Sequence, residues 1–235
     1  MDGSGITTPT IFHLGPLLVT ETTTTTWGIM VGLTLAGLLI RRNLREDPGP
    51  FQVAAEGIVG SMEDAVREVA PQQYRLILPF VMSLWIFLIV ANLVGLIPGL
   101  HSPTRDFSAT ASLAILVFLA VHWFGIRSRG VKEYLRHYLS PSPILLPFHL
   151  ISEITRTIAL AVRLFGNIMS MEMIALLLLL VAGFLAPIPI LMLHIIEALV
   201  QAYIFGMLAL TYIAGGLQSQ ELRRENAPGK EQSDE

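Results

Sequence analysis

The feature that most constrains this chain is a pair of long apolar stretches, Phe148–Val181 and Ile190–Leu217, separated only by the turn Gly183–Pro189. A helix needs about 20 apolar residues to cross the hydrocarbon of a bilayer. Arms of 34 and 28 residues exceed a perpendicular crossing, so the pair predicts a hairpin of strongly tilted membrane helices. The whole chain agrees with this class. Of 235 residues, 53% are apolar and 14% are charged, whereas a soluble domain carries about 25% charge. Mean hydropathy is +0.63. There is no cysteine, which excludes disulfides and thiolate metal sites. The first 26 residues hold no Lys or Arg and no early apolar run, so no cleavable signal peptide is expected.

Three further spans precede the hairpin. The first runs from Trp27 to Ile40 and is closed by Arg41, Arg42 and Arg45. It is short, but threonines 22–26 can lengthen it by placing their hydroxyls on preceding carbonyls. The second runs from about Leu76 to Leu96 and the third from about Phe107 to Ile126, joined by the tight polar loop His101–Asp106. Between the first two, Phe51, Ala55, Ile58, Met62, Ala65 and Val69 recur at steps of four and three among acidic and basic residues. That pattern predicts an amphipathic helix lying on the membrane surface or on a partner.

Positive charge alternates along the chain. Of 15 Lys and Arg, five lie in 41–75, four in 127–136 and three in 223–230, while residues 1–40 hold none and the loop 98–106 holds only Arg105. The positive-inside rule then places the N-terminus outside and the amphipathic helix and tail inside, with five crossings. The expected organisation is an outer N-terminus with the first span (1–45), a cytoplasmic-side amphipathic helix (50–70), the second and third spans (75–127), the hairpin (147–218) and a cytoplasmic tail (219–235). The fold class is an all-α integral membrane protein.

Six ionisable residues lie inside the hairpin: Glu153, Arg156, Arg163, Glu172, His194 and Glu197. The first three spans hold only His122 in their cores. A charge at mid-bilayer costs about 2.5–3.5 kcal/mol even on the lenient insertion scale, and such density marks an ion path or a substrate site. Arg156 and Arg163, seven apart, share one helix face, continued by Asn167 and Ser170. Glu172, nine beyond Arg163, is about half a turn round from that face. On the second arm His194, Glu197 and Gln201 form one polar stripe. Plainer roles are open to several of these. Arg156 can snorkel, with Glu153 as its i−3 partner. Asn167, Gln201, Asn92 and His122 can form hydrogen bonds between helices. Arg163 has no acid three or four residues away, so its partner must come from elsewhere, another chain included.

The stretch Arg163-Leu164-Phe165-Gly166-Asn167 resembles the signature of the F-type ATP synthase a subunit. Around it, Glu172 falls where bacterial members of that family often carry an acid. His194 and Gln201, followed by Ala202-Tyr203-Ile204-Phe205, resemble the family's last helix. Arg156 matches a basic position, and Pro103–Asp106 resembles a short loop carrying an aspartate. The resemblance covers the C-terminal two thirds of the chain and is weaker before residue 75. Thr157 stands where many relatives have proline, which predicts a straighter helix, and Glu197 is an additional acid on the stripe.

The resemblance implies a stator that conducts ions beside a rotating ring of c subunits, each with a buried carboxyl. Two half-channels reach the ring, with Arg163 between them. Glu172, His194, Glu197, Gln201 and Asn167 would serve translocation, with Glu153, Arg156, Ser170 and Asp106 as secondary channel-lining residues. The implied partners are the c ring, the b-subunit peripheral stalk and the remaining synthase subunits, in a bacterial plasma membrane. No metal, cofactor or nucleic acid is called for. No G-x-x-x-x-G-K-[ST] sequence occurs, so nucleotide chemistry falls to other subunits and this chain is expected to be non-catalytic. Rival expectations are a secondary transporter, which would usually show repeated halves that are not evident here, and an assembly protein whose charges dock partners.

Overall fold

The computed structural model describes residues 10–14, 17–43, 49–97, 100, 102–131, 146–183 and 188–225. The basic segment expected at 127–137 lies largely outside the described residues, as do most of the outer N-terminus, the centre of the hairpin turn and the last ten residues of the tail.

Among the described residues, six α-helices follow a short antiparallel pair of strands, β1 (Thr10–Leu14) and β2 (Leu17–Thr20), which the sequence pattern did not suggest. Helix α1 (Glu21–Asn43) starts six residues before Trp27. Its threonines behave as expected: the hydroxyls of Thr24, Thr25 and Thr26 donate to the carbonyls of Thr20, Glu21 and Thr22 at 2.7–3.1 Å. Those bonds satisfy the hydroxyls within the helix, so an apolar run too short to span becomes a 22-residue span candidate. Among the described side chains of this helix only Ile29 is buried; Trp27, Val31, Leu35 and Leu39 are exposed.

Helix α2 (Pro50–Val69) is amphipathic as predicted, with Pro50 in its first turn. Its packing is lopsided. Val66 is fully buried, with Met62, Ala65 and Val69 against the body, whereas Ile58 is exposed. The C-terminal half is therefore the docked half, and its centre is Val66 rather than the 55–58–62 line. Arg67 and Glu63 pair on the open face at 2.7 Å.

Helices α3 (Tyr74–Val94), α4 (Phe107–Arg129), α5 (Leu146–Ala182) and α6 (Ile188–Glu225) make the body. These four are span candidates and α1 is the fifth, so five helices among the described residues are long and apolar enough to cross a membrane. Helix α6 continues past Leu217 into the stretch expected as the tail. In lipid there is no hydrophobic drive between helices, so close packing needs small residues. Ala198, Ala202, Gly206 and Ala209 supply them on α6. A Cβ on Gly206 would overlap the indole of Trp85 on α3. The indole N–H donates to the Tyr203 carbonyl at 3.3 Å, and the two rings stack.

One core cluster joins Leu84 and Leu88 of α3, Ala114 and Val117 of α4, Leu160, Ala161 and Leu164 of α5, and Ala202, Phe205 and Ala209 of α6. This cluster fixes the rotation of α5, and with it the directions of that helix's polar side chains.

Candidate functional site: the polar faces of the terminal hairpin

Leu160, Leu164 and Ile168 recur every four residues and are buried, so they lock one face of α5 onto the bundle. Arg163 precedes Leu164 by one residue, about 100° round the helix. It therefore emerges at the exposed surface, between exposed Val162 and the buried line. Among the described residues it has no ion pair and no hydrogen bond. The helix runs unbroken through Thr157, whose hydroxyl donates to the Glu153 carbonyl at 2.9 Å.

Two other members of the Arg163 face, Arg156 and Asn167, reach α6. The Arg156 guanidinium lies over the Tyr212 ring, 4.5 Å from its centroid. The Asn167 amide donates to Gln201 Oε1 at 2.6 Å, the expected bond between the two arms. Ser170 is exposed.

Glu153 corrects one expectation. Its carboxylate faces His122 Nε2 of α4 at 3.6 Å instead of pairing with Arg156. His122 Nδ1 lies 2.8 Å from the Phe118 carbonyl of its own helix, so the ring is held from both sides. The packing of α4 on α5 brings His122 to Glu153, while Tyr212 of α6 draws Arg156 to the other side.

On α6 the stripe is buried. His194 and Gln201 are buried and Glu197 is half-buried. His194 Nε2, Glu197 Oε2 and Gln201 Nε2 are each shielded, with no hydrogen-bond partner among the described residues. Buried polar groups ordinarily find partners, and in a membrane each unsatisfied one costs several kcal/mol. Three on one stripe form an acid–base and amide surface able to bind water, a proton or a small cation.

Glu172 points to a residue that the sequence argument passed over. Arg105 Nη1 lies 2.6 Å from Glu172 Oε1. Arg105 ends the single turn of 3-10 helix Pro103–Arg105 between α3 and α4. Its signal in the sequence was its place, as the single cation of a loop expected outside, where positive charge is otherwise absent. Asp106, expected near the channel, caps α4 by accepting the Ser108 N–H at 2.9 Å and also accepts the Thr22 hydroxyl at 3.2 Å.

Comparison with known proteins decides the family. The family model described as ATP synthase A chain matches residues 23–214. The chain belongs to that family. It is 66% identical over 218 residues to "ATP synthase subunit a 2" of Pelobacter propionicus, covering 93% of this chain and 96% of that one. It is 62% identical to "ATP synthase subunit a 1" of Hahella chejuensis, covering 91% of both. It is 58% identical to "ATP synthase subunit a" of a Legionella pneumophila strain, covering 91% of this chain and 94% of the relative. As an ATP synthase A chain, it is a multi-pass membrane component of the ATP synthase complex, and the early spans, where the motif resemblance was weak, fall within the matched region.

Proposed function

We propose that this chain is the ion-translocating stator of a rotary F-type ATP synthase in a bacterial plasma membrane, with its N-terminus outside and its C-terminus cytoplasmic. The hairpin α5–α6 lies tilted against a ring of c subunits, and a b-subunit stalk holds it against rotation. At 37 and 38 residues its helices are about 55 Å long at 1.5 Å per residue, well beyond the roughly 30 Å of hydrocarbon.

The observation that carries this reading is Arg163, a guanidinium on an apolar helix, exposed and without a partner among the described residues. Guanidinium stays charged at any working pH. A carboxylate arriving on the ring is stabilised in its charged form opposite it, and releases its cation into one half-channel. The fixed charge also repels cations and so blocks a direct leak between the two half-channels. Glu172, His194, Glu197, Gln201 and Asn167 line the outer path, where unsatisfied donors and acceptors hold water and relay the ion. Glu153 and Arg156, with Ser170 and Asp106 as further lining residues, serve the path mouths. Each unit charge falling through 100 mV releases about 2.3 kcal/mol, so several cations, protons or sodium ions, must pass for each ATP.

Reconstitution distinguishes this from a transporter. The chain alone in liposomes should show no ion flux above the protein-free background, and flux should appear when the c ring is co-reconstituted. Flux through the chain alone would favour an independent transporter.

A further inference from the structure

We propose that Arg105 is a positioning residue of the outer ion path: it holds the Glu172 carboxylate in an ion pair beside the loop, so that a cation reaches Glu172 only when the pair opens. This rests on the assignment of Glu172 to that path.

The loop that carries Arg105 is a built support. The Ser102 hydroxyl donates to the Ala91 carbonyl at 2.8 Å, and the fully buried Thr104 hydroxyl donates to Asn92 Oδ1 at 2.9 Å. Asn92 in turn donates to the Ala198 carbonyl of α6 at 3.2 Å. On the other side, Asp106 ties the loop to α4 and to Thr22 of α1. The Arg105 N–H donates to the Ser102 carbonyl at 3.1 Å. Four helices thus fix the backbone from which the guanidinium extends, and less conformational freedom is lost in making the pair.

The pair also has a suitable strength. Its side chains are 38% and 28% exposed. A fully exposed pair is worth little, and a fully buried one would be hard to open. A half-buried pair at 2.6 Å can hold the carboxylate and still exchange its partner. The geometry separates the acids of the hairpin into two kinds. Glu172 is tethered to a cation from another element, whereas Glu197 Oε2, on the stripe beyond it, is unpartnered among the described residues. A cation that displaces the guanidinium takes its place on Glu172, and the guanidinium returns once the cation moves on.

The test is a double-mutant cycle in the complete synthase, in inverted membrane vesicles. ATP-driven charge movement is read with a membrane-potential dye, and assembly by the amount of complex. Arg105→Gln should lower pumping by about tenfold at unchanged assembly, and Arg105→Lys should recover most of it. Arg105→Gln combined with Glu172→Gln should be no worse than Glu172→Gln alone, because residues acting as one pair do not add. Effects that multiply, or a Lys variant no better than Gln, would overturn the positioning role while leaving Glu172 in the path. Wild-type pumping by Glu172→Gln would instead remove Glu172 from the path, which is a failure of the underlying reading. If Arg105→Gln does not assemble, the double variant decides. Assembly restored by removing the acid as well supports the pair, and continued failure makes Arg105 a residue of loop structure alone.

Discussion

Two clusters of shielded polar groups, one touching α6 and one lying on it, differ in one respect. In the first, Asn92, Ser102 and Thr104 are buried and every side chain is engaged: Asn92 bridges Ala198 and Thr104, and Ser102 joins Ala91 and Thr104. In the second, His194 and Gln201 are buried and Glu197 half-buried, and each has one shielded polar atom without a hydrogen-bond partner among the described residues. A closed network in lipid stabilises and orients helices. An open one costs stability and persists where it has another use. The difference teaches which polar residues of a membrane helix to read as architecture and which as path, a distinction that burial alone does not make.

The comparison can be broken at several points. The largest effect on stability is expected where α6 meets α3. Gly206→Val places side-chain atoms inside the Trp85 indole, and overpacking of this kind costs about 3 kcal/mol. The detergent-solubilised complex should lose most of its assembled population or melt well below wild type. A normal melting temperature would mean that the α3–α6 contact is not as tight as described.

Asn92→Leu attacks the closed cluster. It removes one hydrogen bond each from the Thr104 hydroxyl, which keeps Ser102, and from the Ala198 carbonyl, which should cost about 1 kcal/mol. The melting temperature should fall, and pumping should fall only in proportion to the complex that remains.

Glu197→Leu attacks the open cluster and should do the reverse. It removes a buried atom that has no partner, so stability should stay within about 0.5 kcal/mol of wild type or rise. Pumping per assembled complex should drop severalfold. Destabilisation as large as that of Asn92→Leu would erase the distinction between the clusters.

Much of the architecture was legible because its causes are local. The threonine back-bonds of α1, the apolar runs and the periodicity of α2 depend on residues at most four apart. The stripe on α6 followed from helical spacing, whereas the pairing of Asn167 with Gln201 depended on how the two arms pack. What escaped depended on which helices pack together. Arg105 and Glu172 are 67 residues apart and meet because the loop is tied to α3, α4 and α1 beside α5. Glu153 was given the nearest cation along its own helix, yet the α4–α5 packing supplied His122. Ile58 fits the apolar period of α2 but stands off the body because only the C-terminal half of that helix docks. Local periodicity names the face of a helix and leaves its neighbour undetermined.

The most direct test is Arg163→Ala in the assembled synthase, with ATP-driven charge movement measured in inverted vesicles alongside the amount of complex. Loss of coupled pumping at unchanged assembly is the predicted result, since the exposed face of α5 would lack its fixed charge. Pumping near the wild-type rate would contradict it, and would make Arg163 a structural charge.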